Sequence, residues 1–153
     1  MHLCSKVLQA LAGRSLVTAE SCTGGGIGAA LTAVPGSSAI YKGGVISYTN
    51  WVKENLLQVP AEMLSREGAV SAPVAQAMAV GARKALCADV AVSVTGLAGP
   101  GGDDYGNPVG TVFIGYASDT QCFAREFHFD GDREEVRRQT VCAALELVLE
   151  CNS

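Results

Sequence analysis

The chain has 153 residues, 48% of them hydrophobic and 17% charged, with a formal net charge of −4 and a pI near 5.1. That length and composition suit one folded domain with a sizeable core and exclude a disordered chain. The acidic balance argues against nucleic-acid binding, and no apolar run reaches the length of a membrane span. From the amino terminus, Leu3, Val7, Leu8 and Leu11 have helical spacing, and Gly13 ends that helix. Ser15 to Ala19 predicts a short buried strand, Gly24 to Ala33 a helix of small residues, and Pro35 to Ser38 a turn. Gly44 to Tyr48 predicts a second strand. Thr49-Asn50 caps a short helix from Trp51 to Leu57, and Pro60 to Arg66 forms another. Ser71, with Pro73 in the first turn, opens an alanine-rich helix that runs to Leu86.

Asp89 to Thr95 is apolar and β-branched, the pattern of a strand buried on both faces. A glycine-rich loop, 96–110, follows; loops of that length in a compact domain tend to carry function. Val109 to Ala117 and Cys122 to Phe129 predict a hairpin around residues 118–121. Asp132 is placed to cap a last helix reaching about Glu150, with Glu135 positioned to reach back in a capping box. Alternating strands and helices followed by a hairpin give an α/β fold: one domain over residues 1–153, a mixed β-sheet covered by helices.

Several chemistries are excluded by residue type. Met1 to Gly13 lacks the long apolar stretch and small-residue cleavage site of a signal peptide, so the expected location is the cytoplasm. The six cysteines are scattered, with no C-x-x-C pair, and read as reduced, mostly packed thiols. There are two histidines, His2 at the terminus and His128 between two phenylalanines, so a histidine-rich metal site cannot be built. A serine nucleophile in this chain must find its base mainly among lysine, tyrosine or carboxylate side chains.

The stretch 15-SLVTAESCTGGGIGAAL-31 admits three readings. Gly24, Gly26 and Ala29 match a dinucleotide fingerprint, but no Asp or Glu lies between Ser21 and Lys53 to hold a ribose. A strand ending at Glu20 and a helix beginning near Thr23 would instead aim free backbone N–H groups past Ser21, the arrangement of an acyl-transfer nucleophile beside an oxyanion hole. The third reading is a plain helix cap, with Ser21 or Thr23 capping and the glycines allowing close packing.

Beyond this stretch, five blocks occur in order: Thr18 to Gly25 (T-A-E-S-C-T-G-G), Pro35-Gly36-Ser37-Ser38, Tyr48-Thr49-Asn50 with Lys53, Thr95 to Pro100 (T-G-L-A-G-P), and Pro108 to Thr111 (P-V-G-T). Gly131-Asp132-Arg133 with Val136 to Gln139 closes the set. Together they resemble the CinA C-terminal domain family, the bacterial nicotinamide-nucleotide amidohydrolases also called PncC or NMN deamidases. The resemblance runs from about Leu3 to Glu150 and is to the stand-alone form, without the molybdopterin-binding-like domain of two-domain members.

It implies hydrolysis of the carboxamide of nicotinamide mononucleotide to nicotinate mononucleotide and ammonia, in pyridine-nucleotide recycling, with no cofactor and no metal. It implies a catalytic set of Ser21, Tyr48 and Lys53. Lysine must then be neutral to act as base, its pKa lowered roughly 3 units or more by burial and positive neighbours, and Tyr48 would relay a proton between Lys53 and Ser21 or to the leaving ammonia. Lys42, outside the matching blocks, is expected in solvent. Glu20, Cys22, Thr23, Gly24, Gly25, Thr49, Asn50, Thr95, Gly96 and Gly99 are expected around the substrate.

The phosphate falls to Arg133, Arg137 or Arg138, with ordinary ion pairing to Glu134 and Glu135 as the alternative for these arginines. Asp103 and Asp104 read as solvated, so activity is expected to survive EDTA. Family members tend to be homodimers or larger. The competing classes are an amidase for another small amide and a non-enzymatic binding or regulatory module tied to competence or DNA damage.

Overall fold

A computed structural model describes residues 2–153. Strands β1 (Leu16–Glu20), β2 (Tyr41–Ile46), β3 (Val90–Gly96), β4 (Thr111–Ala117) and β5 (Cys122–His128) form one sheet in the order β2-β1-β3-β4-β5. β1 pairs in parallel with β2 and β3, and the β3–β4 and β4–β5 pairs are antiparallel. The sheet is therefore mixed, as the order of elements predicts.

The helices are α1 (Leu3–Ala10), α2 (Gly26–Thr32), α3 (Asn50–Leu57), α4 (Ala61–Glu67), α5 (Ala72–Ala85) and α6 (Arg133–Asn152). They cover both faces. Val7, Leu11, Ile27, Leu31, Val136 and Val148 of α1, α2 and α6 pack on Leu16, Val92 and Ile114. On the other face Leu57, Leu64, Val74 and Met78 of α3, α4 and α5 pack on Val17, Ala19 and Ala91. Strand periodicity explains the split, since Leu16 and Val17 point to opposite faces. The α5 side is built from small residues, and Ser93 Oγ donates to the Ala75 carbonyl of α5 at 2.5 Å. Among the described residues no helix is long and apolar enough to cross a membrane.

Two boundaries differ from expectation in ways that matter for the site. β2 begins at Tyr41 and ends at Ile46, three residues earlier than the pattern suggests at its start, leaving Tyr48 beyond the strand. As an edge strand paired only with β1, it tolerates Gly43 and Gly44, whose low strand propensity hides it in the sequence. Helix α2 starts at Gly26 because Gly25 takes a left-handed φ of 102° at its N-cap. Asp132 does cap α6, accepting from the Glu135 amide at 2.9 Å, but Glu135 turns its carboxylate to Arg138 instead of back to the cap.

Candidate active site

The parallel strands β2, β1 and β3 run out at one edge of the sheet, at Ile46, Glu20 and Gly96. Helices leave this edge on opposite faces, and in open α/β sheets such an edge leaves a crevice. A cleft of about 390 Å³ lies there, lined by Ser21 and Cys22 after β1, Tyr48, Asn50 and Lys53 after β2, and the 95–101 segment after β3. Arg133 of α6 closes one side, and no carboxylate lines it among the described residues.

Ser21 is buried, and its amide donates to the Val94 carbonyl at 3.1 Å, which pins the corner to β3. Lys53 is only 1% exposed. Its Nζ lies 3.0 Å from Ser21 Oγ, 2.7 Å from the Ser47 carbonyl and 3.3 Å from the Tyr48 carbonyl. Burial pulls its pKa down from 10.5 to about 8. When the amine is neutral its two N–H bonds satisfy the two carbonyls, which can only accept, and the lone pair is left facing the serine hydroxyl. The set of partners thus orients Lys53 as a proton acceptor for Ser21. Cys22 beside it is not a competing nucleophile, because burial pushes its thiol up to about 11.

Tyr48 does not stand between Lys53 and Ser21, since the amine reaches the serine directly. The Tyr48 ring is 58% exposed, and its hydroxyl accepts from Arg133 Nη2 at 3.2 Å. The other Arg133 amino group donates to the Gly99 carbonyl at 2.8 Å.

Glu20 is not in the cleft. It is 2% exposed and points under α2, where its carboxylate accepts from the amides of Ile27 at 2.8 Å and Gly28 at 3.0 Å and from the hydroxyls of Thr23 at 2.7 Å and Thr18 at 3.2 Å. A buried carboxylate needs such donors, and the positive end of the helix supplies them. The helix start is therefore filled by an internal anion. With the Gly24 amide on the Ser21 carbonyl and the Gly26 amide on the Thr23 carbonyl, the amides of Cys22, Thr23 and Gly25 are left without a backbone partner among the described residues, and of these three residues Cys22 lines the cleft.

The remaining expected residues divide between cleft and scaffold. Asn50, Thr95, Gly96 and Gly99 line the cleft, whereas Thr23, Gly24 and Gly25 do not. Thr49 is the N-cap of α3 but makes no side-chain cap bond. Arg137 does not line the cleft and donates to the Cys22 and Thr23 carbonyls, both at 3.1 Å, holding the turn after Ser21. Arg138 makes the surface ion pair with Glu135 at 2.5 Å. Lys42 is exposed, with Nζ on the Cys87 carbonyl at 3.2 Å. The hydrophobic Ala69, Val70, Leu97 and Ala98 also line the cleft and were not singled out by pattern, because apolar residues near a turn carry no chemical signal of their own.

Residues 2–152 match the model of the family described as CinA C-terminal domain. A "CinA-like protein" of Parasynechococcus marenigrum (strain WH8102) is 53% identical over 149 residues, covering 94% of this chain and 35% of that protein. "Nicotinamide-nucleotide amidohydrolase PncC" of Pseudomonas putida is 49% identical over 135 residues, covering 88% of this chain and 84% of that protein. The crystal structure of the competence damage-inducible protein A from Klebsiella pneumoniae superposes with a TM-score of 0.94 at 40% identity, covering 97% of this chain and 93% of that one. The chain spans about a third of the length of the CinA-like relatives it matches.

Proposed function

The chain belongs to the CinA C-terminal domain family, and on that premise we propose that it is an amidohydrolase acting on the carboxamide of nicotinamide mononucleotide. The observation that carries this reading is the buried Lys53 amine, 3.0 Å from Ser21 Oγ and with its other neighbours both carbonyls. Such a pair is built to make an alkoxide-like nucleophile without histidine. The name of the Pseudomonas putida relative supports the nicotinamide-nucleotide substrate. So does the charge of the cleft, where Arg133 is a cation with no carboxylate partner among the described residues.

In this mechanism neutral Lys53 takes the Ser21 proton as Oγ attacks the carboxamide carbon. The oxyanion is met by the Cys22 amide beside Ser21. The C–N bond breaks as the leaving nitrogen takes the proton that Lys53 removed from Ser21, either directly or through Tyr48, which Lys53 then reprotonates, giving ammonia and an acyl-serine and leaving Lys53 neutral. Water, deprotonated by Lys53, then attacks the ester and releases nicotinate mononucleotide and Ser21. The product would feed pyridine-nucleotide recycling in the cytoplasm. A homodimer is part of the proposal: Ile46, Trp51 and Leu56 expose apolar surface along and beyond the edge strand, at 58%, 66% and 52%.

The test is ammonia release from nicotinamide mononucleotide with EDTA present. Wild type is expected to turn over and to accumulate an acyl-enzyme visible by intact-protein mass spectrometry. Ser21→Ala is expected to lose roughly 10³-fold or more in kcat. Full turnover by that variant would remove Ser21 from the nucleophile role.

A further inference from the structure

The geometry points to Arg133 as a positioning residue for Tyr48, beyond any contact it makes with the substrate phosphate; the inference rests on the amidohydrolase reading for its kinetic consequences. Tyr48 is held unevenly. Its backbone is fixed, because the Ser47 amide donates to the Glu20 carbonyl at 2.9 Å and Lys53 Nζ reaches the carbonyls of Ser47 and Tyr48. The residue is 58% exposed, and among the described residues its hydroxyl has one hydrogen-bond partner, the Arg133 guanidinium. An exposed tyrosine without that contact would exchange among rotamers on a nanosecond scale.

Arg133 can hold it because it is itself held. It sits at the first residue of α6, directly after the Asp132 cap, and its Nη1 is tied to the Gly99 carbonyl. One guanidinium therefore joins three segments distant in sequence: the turn after β2, the loop after β3 and the start of α6. The planar fork fixes the phenol oxygen in direction as well as distance. A phenol oxygen that accepts from Arg133 on one side must carry its own proton on the other, so the contact selects where the Tyr48 O–H points. The guanidinium has five N–H donors, of which two are used here, and the remaining three are free for a phosphate. Holding Tyr48 and binding phosphate are thus compatible roles.

The two roles separate kinetically. A residue that only binds phosphate raises KM when removed and leaves kcat unchanged at saturation. A residue that orients the acid lowers kcat. The experiment is a double-mutant cycle with nicotinamide mononucleotide at saturating concentration: wild type, Arg133→Ala, Tyr48→Phe and the double variant, with circular dichroism as the folding control. Tyr48→Phe is expected to lose about 10²-fold in kcat, as removal of a general acid does. Arg133→Ala is expected to lose about tenfold in kcat besides raising KM, and the double variant to be no slower than Tyr48→Phe alone. Arg133→Lys should restore part of KM and little of kcat, since an ammonium cannot grip two acceptors in a plane.

A second readout needs no substrate. With 3-fluorotyrosine in place of the four tyrosines, the Tyr48 fluorine resonance, assigned with Tyr48→Phe, should shift and average in Arg133→Ala while those of Tyr41, Tyr105 and Tyr116 stay in place. Unchanged kcat with raised KM, additive losses in the cycle, or an unmoved Tyr48 resonance would each overturn the positioning role. Absence of ammonia release by wild type would instead fail the substrate reading, and the fluorine spectrum alone would then decide whether Arg133 fixes the ring.

Discussion

Residues 53 and 20 show how burial changes what a charged side chain is for. Lys53 is surrounded so that its charge is costly, and its pKa falls to about 8. In the proposed mechanism the neutral form is the catalytic one, so kcat/KM should rise about tenfold per pH unit below 8 and level off above it, which a pH–rate profile measures. Stability carries the same sign. Between about 8 and the ordinary value of 10.5 the unfolded chain holds the proton and the folded chain does not, so stability attributable to Lys53 should rise with pH across that window and be flat below it. Denaturation midpoints taken through the window check this part. Glu20 shows the opposite outcome: with four donors on its carboxylate it is kept as a structural anion under α2. In the motif the two residues that flank the strand end look equally functional, yet Ser21 faces the cleft and Glu20 faces the helix, since neighbours in a strand point to opposite sides.

At the level of elements, the helix that carries Lys53 is positioned by close backbone packing. A Cβ at Gly81 of α5 would lie 1.9 Å from the Leu57 carbonyl at the end of α3, so the two helices approach nearly to backbone contact there. Gly81→Ala must push α3 outward. It should cost about 1–3 kcal/mol of stability, read from the urea midpoint, and lower kcat by moving Lys53 off Ser21. Elements with strong local signals were legible in the sequence: α5 with its Pro73, the apolar β3 and the capped α6 all fall within a residue or two of expectation. β2 was legible only in its second half, from Gly44, because Gly43 and Gly44 mask a start at Tyr41 that pairing with β1 reveals. The arginines of α6 divide for a reason no helical pattern contains. Adjacent residues point about 100° apart, so Arg137 meets the Cys22–Thr23 turn, Arg138 meets Glu135, and Arg133, a turn earlier, reaches the cleft.

For the whole molecule, the net charge of −4 and the one arginine that lines the cleft among the described residues favour a small anion over a polyanion as the proposed ligand. A mobility-shift assay at low salt is expected to show no retardation of duplex or single-stranded DNA, and a salt-sensitive shift would favour the regulatory reading instead. Residue types and their order by themselves determined the α/β class and ruled out a histidine-rich metal site, which are properties of composition and local pattern. The proposed set Ser21, Tyr48 and Lys53 came from resemblance to a family. Which arginine faces the cleft, that Lys53 reaches Ser21 without a relay, and that Glu20 fills the start of α2 were decided only by the tertiary structure. Each depends on segments far apart in sequence arriving at one sheet edge, and on desolvation, which belongs to the surroundings of a side chain and not to the side chain itself.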